Sequence, residues 1–437
     1  MDILDNLSLT EFISIDYKNL LNNGKNNGKN ELKNLNIFIG PNGSGKSNYI
    51  SALSFLKNCV SSSLEERDTS TQFENAIFQL GGSNILNKSI KIPSTVIFEY
   101  RFERTKEIPF RLVFHLQLDV TEKGQRVSIK NESLLAGEDK NNSDNHMYSF
   151  FYRTHEPNRN EGFVSIWDDE NQRNSHLQNI KNVPTNSLSL TILHELLENS
   201  KYSPQQTPIY KVRRLFIEYL QRWSFYNSNN MDLHKIRTSE PKLGLNDIYL
   251  SPSGHNLALV IHNLIQKNID FEDNLNIAMK SIIPITKRIR PVSTGLLNLN
   301  IEWYFDGSNE QFYLPEMSDG TVRMLCWATI LLSPHLPTLL IIEEPEIGIH
   351  SAWMSVLAEW IKSASQRTQV IISTHSTDLL DQFTDNYENV SIFSYERDNK
   401  FSIKRLSKEL LKDRFEEGWQ LGDLYRVGDP SVGGWPW

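Results

Sequence analysis

Gly40-Pro41-Asn42-Gly43-Ser44-Gly45-Lys46-Ser47 fits the pattern G-x-x-x-x-G-K-[ST]. Ahead of it, Leu35-Asn36-Ile37-Phe38-Ile39 reads as a strand, and behind it Tyr49, Ile50, Leu53 and Leu56 recur at helical spacing over 46–58. Strand, glycine-rich turn and helix is the context in which this pattern cradles phosphate. The glycines let consecutive backbone N–H groups turn inward onto phosphate oxygens. The helix that follows adds the positive end of its dipole. Lys46 is then expected to reach β- and γ-phosphates, and the Ser47 hydroxyl to ligate Mg2+. The nucleotide-binding stretch is read as Gly40, Pro41, Asn42, Gly43, Ser44, Gly45, Lys46, Ser47 and Asn48.

Working outward, three further elements matter. Leu339-Leu340-Ile341-Ile342-Glu343-Glu344 is an apolar run ending in two acids. Four apolar residues in a row predict a strand buried on both faces. Its carboxyl end is where α/β sheets bind ligands. One acid is expected to bind Mg2+ through water, the other to polarise an attacking water. Met317-Ser318-Asp319-Gly320-Thr321 precedes a helical pattern, Val322 to Leu332. Val370-Ile371-Ile372-Ser373-Thr374-His375-Ser376 is a second apolar strand with a polar end. An imidazole there can sense γ-phosphate charge.

The order of these elements carries a resemblance. A phosphate loop, a long insertion, a serine–glycine signature, an acid-tipped strand and a histidine strand resemble an ABC-type ATPase head. More closely, the set resembles the RecF/SMC/OLD-like branch of AAA-family ATPases, including stand-alone members found in bacterial anti-phage defence. The strings of that branch, I-G-P-N-G-S-G-K-S-N, S-D-G, I-E-E-P-E and T-H-S, stand here at Ile39–Asn48, Ser318–Gly320, Ile342–Glu346 and Thr374–Ser376. The resemblance covers 1–90 and 295–437, and implies an α/β, ABC/SMC-like P-loop ATPase head split in sequence. Between the halves, 91–294 would form an inserted mixed α/β, mainly helical arm.

The resemblance also implies roles. Glu343 would hold the metal with Ser47, and Glu344 would be the catalytic carboxylate. His375 would be the switch histidine, and Glu346 to His350 the loop at a dimer seam. Ser318 and Gly320 would contact the γ-phosphate bound by a second subunit. ATP and Mg2+ are the implied cofactors, and a homodimer or higher homo-oligomer with ATP sandwiched between heads the implied assembly. Glu343 in place of Asp and Asp319 in place of glycine follow this branch. Ser351, where proline is common, departs from it. A glutamine touching the metal is also implied, with Gln79 and Gln117 as candidates.

The middle and the tail are less regular. Thr95–Tyr100 and Arg111–Leu118 alternate like antiparallel strands. Residues 11–16 have some strand character, and the polar tandem at 21–30 suggests a hairpin or surface loop. Residues 138–186 read as an irregular polar insertion, and 187–290 as mainly helical, without a sustained heptad. A β pair is expected at 297–305 and 311–314. Lys280, Lys287, Arg288 and Arg290, and Lys211, Arg213 and Arg214, read as solvated helix faces rather than phosphate grips. His155-Glu156 and Asp168-Asp169-Glu170 read as surface residues. The tail from Gly418 shows no helical or strand period, and Trp435 and Trp437 are candidate anchors, on its own head or a partner. No Asp-x-Asp pair follows His375, so a nuclease domain of the OLD type is not expected.

Composition bounds the rest. A chain of 437 residues suggests about three units, or one large domain with an insertion. There are 53 acidic against 45 basic side chains, a net charge of −8, which disfavours a general nucleic-acid coat. Cys59 and Cys326 are too few for a disulfide scaffold or a zinc site, and suit a reducing compartment. The start, Met1-Asp2-Ile3-Leu4, lacks a signal-peptide pattern. The most apolar stretch, 322–342, is interrupted by Arg323, Ser333, Pro334, His335 and Pro337, so no membrane span and a cytoplasmic location are expected. The leading reading is an ATP-gated scaffold or sensor holding a separately encoded effector, a nuclease or toxin, in anti-phage defence. The alternatives are a RecF-like DNA-repair or chromosome-maintenance ATPase, with DNA as partner, and an assembly module that binds ATP without hydrolysing it.

Overall fold

A computed structural model describes residues 4–10, 32–61, 69–85, 94–108, 111–121, 127–137, 149–158, 161–167, 177–198, 208–295, 297–396 and 400–433. The expected strand at 11–16, the polar tandem at 21–30, Asp168–Glu170 and the two terminal tryptophans lie outside the described residues. The chain forms two units, each assembled from separate segments. One comprises Met1–Lys33, Gly40–Trp223 and Ile392–Lys404; the other Asn34–Ile39, Ser224–Ser391 and Arg405–Trp437.

The first unit opens with β1 (Leu4–Thr10). The next strand, β2 (Leu35–Ile39), belongs to the second unit and leads straight into the glycine-rich loop. There follow α1 (Lys46–Val60) and α2 (Thr69–Leu80). Then come β3 (Ser94–Phe102), β4 (Arg111–Val120), β5 (Val127–Gly137), β6 (Ser149–Asn158), β7 (Glu161–Trp167) and β8 (Leu177–Val183). With β1 they form a seven-stranded sheet in the order β1-β3-β4-β5-β6-β7-β8, antiparallel throughout. Alternation explains its two faces: Val96, Phe98, Tyr100 and Phe102 are buried, as are Leu112, Phe114, Leu116, Leu118 and Val120. The helix behind the glycine loop packs on this face. The Phe55 and Phe98 rings are 5.3 Å apart, and Tyr100 donates to Ala52 O at 2.8 Å.

Two helices complete this unit, α3 (Ser189–Glu198) and α4 (Pro208–Gln221). Phe216 of α4 meets Phe102 edge to face at 4.9 Å. The N-terminus of α3 is held by a buried carboxylate: Glu132 accepts from Ser189 N, Leu190 N and Tyr152 OH at 2.7, 2.8 and 2.5 Å. Burial pushes Glu132 up to about 7, against the pull of those donors.

Strands β6 to β8 correct the reading of 138–186 as irregular. Asn, Asp and Ser are frequent in the segment, and an antiparallel strand is held by its backbone ladder without a continuous apolar pattern. Of the isolated acid pairs, His155-Glu156 stands in β6.

The second unit continues from β9 (Trp223–Asn227) through α5 (Leu233–Thr238), α6 (Leu257–Lys267) and α7 (Asp270–Ile282). A small antiparallel sheet of β10 (Thr286–Thr294), β11 (Asn298–Phe305) and β12 (Phe312–Tyr313) follows, where a two-stranded pair was expected. Next come α8 (Asp319–Leu331), β13 (Leu339–Glu343), α9 (Met354–Ser365), β14 (Gln369–Ser373) and α10 (Thr377–Asp381). In its main sheet β2, β14, β13 and β9 are neighbours in that order, and β2, β14 and β13 run parallel. Leu339 to Ile342 and Val370 to Ile372 are 0% exposed, as continuous apolar runs in a parallel sheet require.

Helix α8 explains the apolar stretch at 322–342. It is apolar nearly all round because it is buried nearly all round, with Val322, Met324, Leu325, Cys326, Trp327 and Ala328 each 0% exposed. No described helix is long and apolar enough to cross a membrane. Both cysteines are buried and unpaired.

The chain then runs through β15 (Val390–Glu396) and β16 (Lys400–Arg405), of which Ile392–Lys404 belongs to the first unit. It ends the described residues in α11 (Lys408–Glu416) and α12 (Leu421–Val427). Helix α12 corrects the reading of the tail as aperiodic. It lies on α10: Gly422 N donates to Asp381 Oδ1 at 2.6 Å, and Arg426 reaches Thr377 Oγ1 at 3.0 Å. Members of the basic groups have local partners. Arg213 donates to Leu190 O and Thr191 O, Arg288 pairs with Glu272, and Arg290 with Glu302.

Candidate functional site

The phosphate-loop residues all lie in the first unit. The loop turns at Gly40 with φ +143°, where a Cβ would lie 2.2 Å from Phe393 O and 2.9 Å from Ser44 Oγ. Only glycine fits there. Ser44 N closes the turn onto Pro41 O at 3.1 Å, while the Ser44 hydroxyl is buried without a hydrogen-bond partner. Gly45 caps α1 in the left-handed region at φ +97°, and a glycine has no side chain with which to cap. The first turn of a helix has N–H donors that no residue within the helix can satisfy. Tyr49 N, donating to Gly45 O at 3.0 Å, is the first that the helix itself engages.

Lys46 is buried, and its ammonium donates to Gly40 O at 2.6 Å and Pro41 O at 3.2 Å, across the mouth of the turn. Ser47 is exposed on the first turn. A glycine-capped helix end, a lysine held over the loop and an exposed serine hydroxyl fit a polyphosphate with its metal. Asn48 is partly exposed in the same turn.

The acids and the histidine lie in the second unit. Register aligns the strand ends: Glu343 is opposite Ser373, and Ser373 opposite Phe38. Thr374 N extends the ladder to Phe38 O at 3.1 Å. The residue pair Glu343–Glu344 and His375 therefore leave adjacent parallel strands at their carboxyl ends. On the other flank of β14, β2 ends at Ile39, the residue directly before Gly40.

Glu344 has φ +50°, a left-handed conformation uncommon outside glycine. Three contacts hold it. Its N–H donates to Ser373 O at 2.8 Å, its carbonyl accepts from Ser228 Oγ at 2.5 Å, and its Oε2 accepts from Asn229 Nδ2 at 3.2 Å. Among the described residues, no group of three or more His, Cys, Asp or Glu side chains could hold a metal by itself. Mg2+ takes one or two protein ligands, and a hydroxyl such as that of Ser47 and a carboxylate such as that of Glu343 are each of the type it accepts.

Ser318 is the N-cap of α8, with Thr321 N 3.3 Å and Thr321 Oγ1 2.8 Å from its hydroxyl. Asp319 pairs with Arg237 at 2.6 Å. Gly320 sits against the segment after β13: a Cβ would meet Gly348 O at 3.0 Å and the Trp353 ring at 3.3 Å. Arg323, one turn on, donates to Ser228 O at 2.7 Å. Trp327 donates to Pro345 O at 3.1 Å. The signature helix is thus tied within one chain to the loop that follows the two acids.

His375 N donates to Glu346 Oε1 at 3.0 Å, and its Nδ1 lies 3.5 Å from Tyr425 OH of α12. Of the candidate glutamines, Gln79 of α2 accepts from Asn58 of α1, and Gln117 stands in mid-strand opposite Ile97. Reading by motif missed Ser228, Asn229, Arg237, Arg323 and Tyr425. Ser228-Asn229 looks like any polar turn, and only the fold brings it to Glu344.

The sequence profile of an AAA domain, described as putative AbiEii toxin, type IV toxin–antitoxin system, matches residues 35–381. No curated protein matches the sequence significantly. Among solved structures, the chain is similar to an SMC head bound to the C-terminal winged-helix domain of ScpA. The identity is 13% and the TM-score 0.50, over 93% of this chain and 99% of that one. It is also similar to the SMC head with an extended coiled coil bound to the C-terminal domain of ScpA from Pyrococcus furiosus. There the identity is 14% and the TM-score 0.49, over 95% and 99%. The first of these likenesses is one of fold, that of an ABC/SMC-like P-loop ATPase head.

Proposed function

The chain belongs to this AAA-domain family, and from that premise we propose that it is an ATP-binding, Mg2+-dependent ATPase whose turnover controls a partner. The observation that carries the reading is the levelling of β2, β14 and β13 at their carboxyl ends. It puts Glu343 and Glu344 at the end of β13 and His375 just past β14, the strand beside β2, which runs on into Gly40.

In this reading Lys46 and the N–H groups of the loop bind the β- and γ-phosphates. Ser47 and Glu343 would hold Mg2+, which would supply positive charge against the phosphates. Glu344 takes the proton of the attacking water, and Asn229 keeps its carboxylate oriented. His375 donates toward a γ-phosphate oxygen. Ser318 and Gly320 serve the nucleotide of a second copy, so the active form is a homodimer closed by ATP and loosened by hydrolysis. The family's description, with its toxin–antitoxin term, supports a place in a two-component toxin–antitoxin system, and we extend this to control of an effector in anti-phage defence.

The test is phosphate release from ATP by wild type, Lys46→Ala and Glu344→Gln, with and without Mg2+. Wild type turns over only with Mg2+, Lys46→Ala does not, and Glu344→Gln binds ATP and elutes as a dimer. A wild-type rate no higher than that of Lys46→Ala would overturn the ATPase reading. Stimulation by DNA would instead favour the RecF-like alternative.

A further inference from the structure

Glu346 follows Glu344 by two residues, in the segment between β13 and α9, and its carboxyl group is largely buried. One oxygen does all its bonding. Oε1 accepts from Thr374 Oγ1 at 2.7 Å, His375 N at 3.0 Å and Ser376 N at 3.1 Å. Oε2 is shielded from solvent and has no hydrogen-bond partner. Burial raises the carboxyl above its usual range, and the three donors pull the other way.

A buried carboxylate is costly unless its donors compensate it. Here the compensation comes from three consecutive residues with His375 in the middle. Ser376 N also reaches Thr374 Oγ1 at 3.0 Å, and Ser376 Oγ then caps α10 by accepting from Leu379 N at 3.1 Å. The turn from β14 into α10 is wound around one oxygen of Glu346. The backbone of Glu346 is in turn fixed by its neighbours. Trp327 of the signature helix holds Pro345 O, and Gly348 lies against Gly320.

We infer that Glu346 is a positioning residue for His375: its carboxylate sets the backbone of Thr374–Ser376 and thereby where the imidazole stands. This rests on the reading of His375 as the γ-phosphate contact. Loss of Glu346 leaves the phosphate loop intact but lets the histidine wander, so kcat falls while KM for ATP holds.

The experiment compares Glu346→Ala, Glu346→Gln, Glu346→Asp, His375→Ala and the Glu346→Ala/His375→Ala double variant in the full chain. Glu346→Ala is expected to lower kcat by about tenfold or more with KM changed less than about twofold. Glu346→Gln keeps an acceptor in the same place and stays within about threefold of wild type. Glu346→Asp, a methylene shorter, is slow. The double variant is no slower than His375→Ala alone. A second readout needs no nucleotide: amide hydrogen exchange at His375 and Ser376 speeds up by about tenfold or more in Glu346→Ala and stays slow in Glu346→Gln. If Glu346→Ala does not fold, the Asp and Gln variants carry the test. Asp fast and Gln slow would overturn the inference, since charge rather than acceptor placement would then matter. So would additive losses in the double variant, or unchanged exchange. A slow His375→Ala beside a fast Glu346→Ala overturns this inference alone. A His375→Ala protein as fast as wild type overturns the assignment of His375 itself, and this inference with it.

Discussion

Asn229 Nδ2 donates to Oε2 of Glu344 at 3.2 Å, and Ser228, the residue before it, donates to the Glu344 carbonyl at 2.5 Å. One short turn after β9 therefore grips both the backbone and the side chain of the acid assigned as catalytic. Glu344 needs that grip because its φ of +50° is unfavourable for a residue with a Cβ. Asn229→Ala removes one orienting hydrogen bond while leaving the phosphate loop alone. Steady-state kinetics should show kcat lowered roughly three- to tenfold with KM unchanged. A rise in KM at constant kcat would mean that Asn229 serves binding instead.

Gly40 of the loop has no room for a side chain. Its φ is +143°, and an added Cβ would lie 2.2 Å from the backbone oxygen of Phe393. A backbone oxygen cannot swing aside as a side chain can. Gly40→Ala is expected to cost about 2–4 kcal/mol in denaturant unfolding of the full chain. It should also abolish ATP binding measured by calorimetry. An alanine variant as stable as wild type would show that the loop relaxes freely.

Glu132 makes the first unit sensitive to pH. Its folded value, about 7, lies above the ordinary 4.5. Below 4.5 it is protonated folded or unfolded, and it adds no pH dependence. Between 4.5 and 7 the unfolded chain loses the proton and the folded chain keeps it, so stability falls as pH rises. Above 7 the loss is complete. At ~1.4 kcal/mol per pKa unit the fall is about 3 kcal/mol. Glu132→Gln accepts from the same backbone donors and should flatten this part of a stability-versus-pH curve. A curve of equal slope in the variant would place the titrating group elsewhere.

Much of this was legible because it is local. The glycine loop, the acid-tipped strand and the alternation of β3 and β4 each declare themselves within ten residues. What was not legible is of two kinds. Strands β6 to β8 carry many Asn and Ser residues among their apolar ones, so their period is diluted. Asn229 and Arg323 find their partners far along the chain, and nothing in a Ser-Asn-Asn turn announces a carboxylate more than a hundred residues later.

Helix α12 shows the same limit. Seven residues make two turns, too few for a period to show. Its contact with α10 is made where Gly422 has no side chain. A Cβ there would lie 2.1 Å from Thr377 O and 2.5 Å from Asp381 Oδ1. Gly422→Ala should therefore lift α12 from α10, costing roughly 1–3 kcal/mol by thermal unfolding. Limited proteolysis near 418–428 should quicken in parallel. If neither changes, the tail is held by contacts elsewhere.

Whether the signature serves a second copy can be decided by mixing inactive chains. Lys46→Ala disables the loop, and Ser318→Arg fills the N-cap of α8 with a long cation. In a head-to-tail dimer of one of each, one site carries both lesions and the other carries none. Random mixing makes half of all dimers heterodimers, each with one of its two sites intact. ATP turnover should therefore recover to about a quarter of wild type when two inactive proteins are combined in equal amounts. If Ser318 instead acts on its own chain's nucleotide, every site in every dimer carries a lesion. Activity would then stay at the level of the separate variants, and the dimer reading would fail while the ATPase reading stood.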